Sequence, residues 1–266
     1  MKSSLVSTFA LVSLTLGSSL ATAANPSVED IVQKSFIAGK VADSVSDSTF
    51  RLINGNGQER VRETKGQSKL IKGTLDNMRL VTFLSPSDVK GTKTLLIEHT
   101  GQDDDMWVYL PALKKVRRLV SSNKKDSFVG TDFSYGDVIG HRVEEWTHKL
   151  LREEKVDGKD TWVIESTPKT KEVGENTGYS KRIGWIEKES KVALRGESYD
   201  LNNQLLKKFK ADKIEKVDPA NDKWQPMVIE AENVQTNHKT IIEFKNYKAN
   251  QGVSDELFTS RSLEKQ

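Results

Sequence analysis

From about residue 43 onward, apolar and polar residues alternate with a period of two, which predicts strands rather than helices. The clearest case is "STFRLINGNGQERVRET", residues 48–64. Its alternating halves flank Asn54-Gly55-Asn56-Gly57, residue types that accept the positive φ of a tight hairpin turn. Further strand patterns follow at 77–85, 93–100, 106–110, 115–120, 148–156, 161–167, 181–188, 192–200, 205–217, 226–236 and 240–248. Asp157-Gly158, Asn202-Asn203 and Asn237-His238 mark tight turns between neighbours. Strands joined this way pair antiparallel, because a parallel pair needs a long crossover. The prediction is a mainly β meander. No linker rich in Pro, Gly or Ser interrupts it, so residues 24–266 are read as a single domain.

A helical period precedes the strands. Val28, Ile31, Val32, Ser35 and Phe36 form one apolar stripe, with Pro26 and the capping residue Ser27 ahead of it and Gly39 as its terminator. The closing "VSDELFTSRSLE", residues 253–264, predicts a short helix or tail.

Two architectures suit this pattern: a closed sandwich, or a curved sheet wrapped around the N-terminal helix. An antiparallel sheet with one wet face alternates cleanly, and "MWVYL" at 106–110 does not. Trp107 and Tyr109 share one face, while Met106, Val108 and Leu110 share the other. Leu95 and Ile97 likewise oppose Leu96, and Val81 and Phe83 oppose Leu80 and Leu84. These strands are therefore expected to be covered on both sides. The helix is too short to fill such a trough, so a loop or a ligand is expected to share it.

Composition narrows the function. A hydrophobic fraction of only 35% suits strands that bury one face each. The 41 Lys and Arg against 38 Asp and Glu leave +3, too balanced a charge to imply nucleic acid. Lys2, the apolar run from Leu5 to Leu20 and "ATA" at 21–23 read as a signal peptide over residues 1–23. That run is shorter than the ~20 apolar residues of a membrane span. Cysteine is absent, so neither a lipidated cysteine nor a disulfide is available, and the periplasm is the expected compartment.

Candidate chemistry is sparse. Without a cysteine nucleophile, a Gly-x-Ser-x-Gly elbow or a Gly-rich phosphate loop, no enzyme activity is expected. His99, His141, His148 and His238 show no paired metal spacing. His141 with Asp132 and Asp137 offers a candidate metal cluster, but a polar loop beside a strand accounts for it as well. Asp103–Asp105 reads as a solvated turn, with calcium as the alternative; no metal and no cofactor is expected. Lys114, Lys115, Arg117 and Arg118 mark either an edge strand protected by charge or a contact with anionic headgroups or an acidic partner. Residues 121–140 form a connection well beyond the usual ~4–6 residues. Gly130, Gly136 and Gly140 supply hinges there, and Phe128, Phe133 and Tyr135 an apolar underside. The segment is either a permanent plug or a lid.

The run "MWVYLPALKKVRRL", followed by "SFVGTDFSYGDV" and "KVDGKDTWVIES", resembles the periplasmic outer-membrane lipoprotein-sorting proteins of the LolA/LolB-like superfamily. More narrowly, it resembles the longer members found beside export pumps of the resistance-nodulation-division (RND) class. The resemblance implies a curved antiparallel sheet forming an incomplete (half) barrel, its concave face covered by the N-terminal helix and short helices or a loop. It also implies a periplasmic carrier whose apolar hollow holds lipoprotein acyl chains, or another lipid, between inner and outer membranes. Implied partners are the cargo, an inner-membrane RND-type transporter, an outer-membrane acceptor and, transiently, the membrane. A lipid-sensing module docked on a membrane protein is the alternative. The expected lining is Phe50, Leu52, Leu80, Phe83, Leu96, Trp107, Tyr109, Trp162, Ile164 and Trp185, with Phe128, Phe133 and Tyr135 as the lid.

Overall fold

A computed structural model describes residues 26–265; the segment read as a signal peptide lies outside the described residues. The fold is a 13-stranded antiparallel sheet that the chain enters near its middle. Strands β1 (Asp43–Ile53) and β2 (Glu59–Leu70) form the Asn-Gly hairpin, and β3 (Asn77–Ser85), β4 (Lys93–Ile97), β5 (Asp105–Leu110) and β6 (Lys115–Leu119) step outward to one edge. The chain then crosses to the opposite edge at β7 (Trp146–Val156). It returns through β8 (Lys159–Pro168), β9 (Lys181–Glu187), β10 (Ala193–Tyr199), β11 (Leu205–Asp218), β12 (Lys223–Asn233) and β13 (His238–Ala249), which pairs with β1. Strands β6 and β7 do not pair, so the curved sheet stays open as a half barrel.

This topology explains the long connection. Residues 120–145 join one sheet edge to the other, a task no tight turn can do. The segment dips into the concave face, carrying helix α2 (Tyr135–Ile139) with it. Phe128, Phe133, Tyr135 and Ile139 pack there against Phe50, Leu52, Phe83, Leu96, Met106 and Val108. Both ends of the segment are tied to one carboxylate: Asp104 receives Lys124 Nζ at 2.6 Å and also pairs with Arg142. Asp104 is therefore buried, not part of a solvated turn, because two cations replace its water.

The outer face of the same strands is covered by the C-terminal tail. Val253, Phe258 and Leu263 pack there on Leu80 and Leu95, with Trp107 and Tyr109 alongside. Coverage from both sides accounts for the doubly apolar strands, each fully buried large aliphatic contributing about 1.5–3 kcal/mol.

Helix α1 (Val28–Ile37) starts where Ser27 Oγ accepts the Asp30 N–H at 3.1 Å. Its buried Ile31 rests on Trp162, Ile164 and Ile186, over the β8–β9 side of the hollow. A helix that the alternating pattern did not reveal, α3 (Lys171–Thr177), follows β8. Thr170 caps its start and Gly178 ends it in the left-handed region at φ 78°.

A candidate ligand-binding hollow

The concave face brings together Phe50, Leu52, Phe83 and Leu96 under the crossing segment, and Trp162 and Ile164 under α1. Phe128, Phe133 and Tyr135 lie buried against the first group. Phe50 meets Phe83 edge-on with ring centroids 5.9 Å apart, and Phe128 meets Tyr135 at 5.3 Å. Leu80, Trp107 and Tyr109 face outward beneath the tail instead. The ladder dictates this, because Leu80 pairs with Leu95 and Leu95 with Trp107, so all three share one face. Trp185 is also outside the hollow: it pairs with Val163 and Arg195, and its indole N–H donates to Glu154. The basic residues sit in the turn before β6 and on that edge strand, exposed, with Arg118 2.7 Å from Asp105.

Packing does not fill the hollow. A cavity of about 310 Å³ lies beneath the crossing segment, with an apolar wall of Phe50, Phe128, Phe133, Ile229, Ile242 and Phe244 and a polar one that includes Ser44, Ser68, Asn77 and Arg79. A second, of about 290 Å³, lies between α1, α2 and the β8–β11 floor, walled by Val32, Phe36, Ile164, Ile186 and Phe209. Either volume is near the lower bound of small-molecule sites, roughly 300–1,000 Å³. Two glycines make room in the second: Gly184 and Gly196 pair directly across β9 and β10, and a Cβ at Gly184 would meet nothing within 4 Å.

Between the cavities stands Asp137, which lines both. Its carboxylate accepts from Lys207 Nζ at 3.0 Å, from the Tyr179 hydroxyl at 3.0 Å and from the Ser134 N–H at 2.8 Å. His141 Nε2 lies 3.5 Å away. Burial alone would raise the Asp137 pKa. The Lys207 charge, then His141 and the Ser134 N–H, overcome it and hold the carboxyl well below the usual carboxylate range. Asp132 is engaged elsewhere, with His238 Nδ1 at 2.6 Å and Thr240 Oγ1 at 2.7 Å. The aspartates flanking this turn thus anchor the crossing segment to β11 and β13. Arg62 and Arg79 add bonds to the Val129 and Val138 carbonyls. Among the described residues, no three His, Cys, Asp or Glu side chains are grouped to hold a metal.

The buried imidazole gives a pH signature. Burial, reinforced by the Arg182 charge, pushes the His141 pKa down to about 4 against the pull of Asp137. An unfolded histidine protonates near ~6.5, so between these values the unfolded chain binds more protons. Stability present above ~6.5 is lost as pH falls toward 4, on the order of 3 kcal/mol for a shift of this size. Denaturant titrations from pH 7 to pH 4.5 are expected to show the loss, and His141→Gln to flatten it. An unchanged slope in that variant would remove His141 as the cause.

These features define the class. An open antiparallel sheet curved around a crossing segment and short helices is the fold of the LolA superfamily. A LolA superfamily protein from Nitrosomonas europaea shares it at TM-score 0.66 and 19% identity, over 87% of this chain and 97% of that one. Two further structures are more similar. A DUF1329 family protein from Desulfovibrio piger aligns at TM-score 0.81 and 33% identity, over 88% of this chain and 97% of its own. A domain from Vibrio parahaemolyticus, provisionally assigned as an outer membrane lipoprotein-sorting protein domain, aligns at TM-score 0.81 and 29% identity, over 89% and 97% respectively. A family model described as an uncharacterized protein matches residues 75–265. No curated protein matches the chain. The chain belongs to the family of that model and to the DUF1329 family of the Desulfovibrio piger protein.

Sequence reasoning missed Lys207, Tyr179, Arg182 and Ser198 as members of the site. Arg182, Ser198 and Lys207 follow one another across adjacent ladders, a relation visible only once the strands are in register.

Proposed function

We propose that this protein is a periplasmic carrier that takes lipoprotein acyl chains, or the chains of another lipid, into its hollow and passes them between the inner and outer membranes. The observation that supports this is room: cavities with more apolar than polar wall remain on the concave face after the crossing segment and α1 have packed there. An acyl chain exposed to water costs about 0.8 kcal/mol per methylene, so an apolar wall is sufficient recognition and no catalytic step or cofactor enters. Phe50 and Ile164 line the cavities, Leu52, Phe83, Leu96 and Trp162 pack on the same concave face as the rest of the proposed lining, and Phe128, Phe133 and Tyr135 form the cover. The exposed Lys114, Lys115, Arg117 and Arg118, flanked by exposed Leu113 and Val120, form the edge that touches anionic membrane. No described helix is long and apolar enough to cross a membrane. An inner-membrane RND-type transporter as donor and an outer-membrane acceptor complete the proposal, and the N-terminal signal directs export.

The polar anchors on the crossing segment favour a second reading, a lipid-sensing module that holds its ligand while docked on a membrane protein. A vesicle assay separates the two. The carrier accelerates movement of a labelled acyl lipid from donor to acceptor vesicles, and Lys114→Glu with Lys115→Glu lowers binding to anionic vesicles. A sensor binds lipid without accelerating transfer. Gently purified protein that yields no lipid to mass spectrometry and takes up no acyl probe would defeat both.

A further inference from the structure

The α1-side cavity holds a charge that the protein does not balance. Across the β9–β11 floor, Arg182 pairs with Ser198 and Ser198 with Lys207, so the three share one face of the sheet. Lys207 is matched by Asp137 at 3.0 Å. The Arg182 side chain, by contrast, makes no ion pair or hydrogen bond among the described residues, and its enclosed Nε has no partner. Beside it the Ser198 hydroxyl is also unpartnered, in a residue only 1% exposed. Both residues line the cavity. The guanidinium sits 5.8 Å from the Trp146 ring, whose indole N–H is a further buried group without a partner. Glu197 also borders the cavity but does not neutralise the guanidinium: its side chain belongs to the opposite face of β10 and accepts from the Tyr199 hydroxyl at 2.8 Å.

Burial disfavours the Arg182 charge, and the nearby Asp137 and Tyr179 offset this only in part. Arg182 as a residue is half-buried, but its Nε and the Ser198 hydroxyl are enclosed groups left unmet, which is costly. A guanidinium offers parallel N–H donors that match the oxygens of a carboxylate or phosphate. Away from this polar end, the cavity wall includes the apolar side chains of Val32, Phe36, Ile164, Ile186 and Phe209. A polar end with one carboxylate, Asp137, for two cations, beside an apolar wall with open space before it, describes a site for an amphiphile.

Building on the carrier reading, we propose that Arg182, with the Ser198 hydroxyl, binds the anionic headgroup, carboxylate or phosphate, of an acyl lipid whose chain lies along the wall beneath α1.

The test compares a fluorescent hexadecanoic acid with its methyl ester on the full chain, using wild type, Arg182→Gln and Arg182→Lys. Wild type is expected to bind the acid roughly tenfold or more tighter than the ester, the strength of a charge-assisted bond. Arg182→Gln should bring the acid down to the level of the ester and leave the ester unchanged, while Arg182→Lys keeps part of the preference. Equal affinity for acid and ester in wild type overturns the proposal without any variant, and leaves the carrier reading standing. A preference that survives Arg182→Gln also overturns it. Displacement of the acid by an equal concentration of inorganic phosphate or acetate would assign the site to a free anion and overturn the headgroup assignment. Binding of neither probe to wild type defeats the carrier reading, and this proposal with it.

Discussion

Replacing Gly184 by leucine is expected to lower acyl-probe affinity at the α1-side cavity at least tenfold while leaving the fold intact. Gly184 sits mid-strand in β9, paired with Gly196, where the floor has no side chains. Its backbone is outside the left-handed region and its missing Cβ would meet no atom within 4 Å, so a leucine starts into the open space of the cavity. Glycine inside a strand costs roughly 0.5–1 kcal/mol of backbone entropy relative to alanine, so Gly184→Leu should hold or raise the melting temperature. The new side chain occupies the volume an acyl chain would use. Excluding only a couple of methylenes, at about 0.8 kcal/mol each, already exceeds a tenfold loss. Thermal unfolding and probe titration on the same preparation decide the matter. A folded variant with undiminished uptake would show that the chain binds elsewhere, and the cavity under Phe128 and Phe133 would become the candidate.

The strands were legible in the sequence because a period of two needs only local residues. Asn54 to Gly57 announced the first hairpin, and "MWVYL" announced coverage from both sides. Which face is concave was less legible. Leu80 and Phe83 lie at opposite parity in β3, so a lining that includes both mixes the hollow with the outer face; only the ladder, by pairing Leu80 with Leu95, separates them. The covers themselves come from distant parts of the chain. Residues 253–264 pack on the outside of β3–β5, and nothing local in that tail names its partner. The polar floor is harder still. His148, Ser166, Arg182, Ser198 and Lys207 form one row across β7 to β11, assembled by four separate registers. His141 and Asp137 attracted attention as neighbours in sequence, but their meaning depends on Lys207 and Tyr179, which only folding brings near. Helix α3 escaped because its seven residues carry a cap and a terminal glycine but no apolar stripe long enough to count.

Asp137→Asn is expected to destabilise the protein by about 3–5 kcal/mol, the cost of leaving a buried charge without its partner, and to lower the melting temperature by roughly 10 °C. The side chains of Asp137 and Lys207 are 5% and 10% exposed, so water can replace neither partner. The neutral amide leaves the Lys207 ammonium facing Arg182 across a floor with no remaining anion of its own, and both cations then oppose folding. Lys207→Met alone inverts the problem and strands the carboxylate. The double variant Asp137→Asn with Lys207→Met should recover most of the loss, because removing both members of a buried pair is often nearly neutral. Acid should act like the first variant. The Asp137 carboxyl is held below its unfolded value, so its contribution is complete above pH ~3.9 and fades as pH falls below that. The same substitution should loosen the crossing segment, since Asp137 ties α2 to β11, and amide exchange at residues 128–139 should quicken more than in β12 or β13. If the single penalties simply add in the double variant, the pair does not act as a unit and the clamp on the cover must be sought at Asp132 instead. If they cancel and the singles also speed vesicle transfer, the carboxylate between the cavities sets how readily the hollow opens.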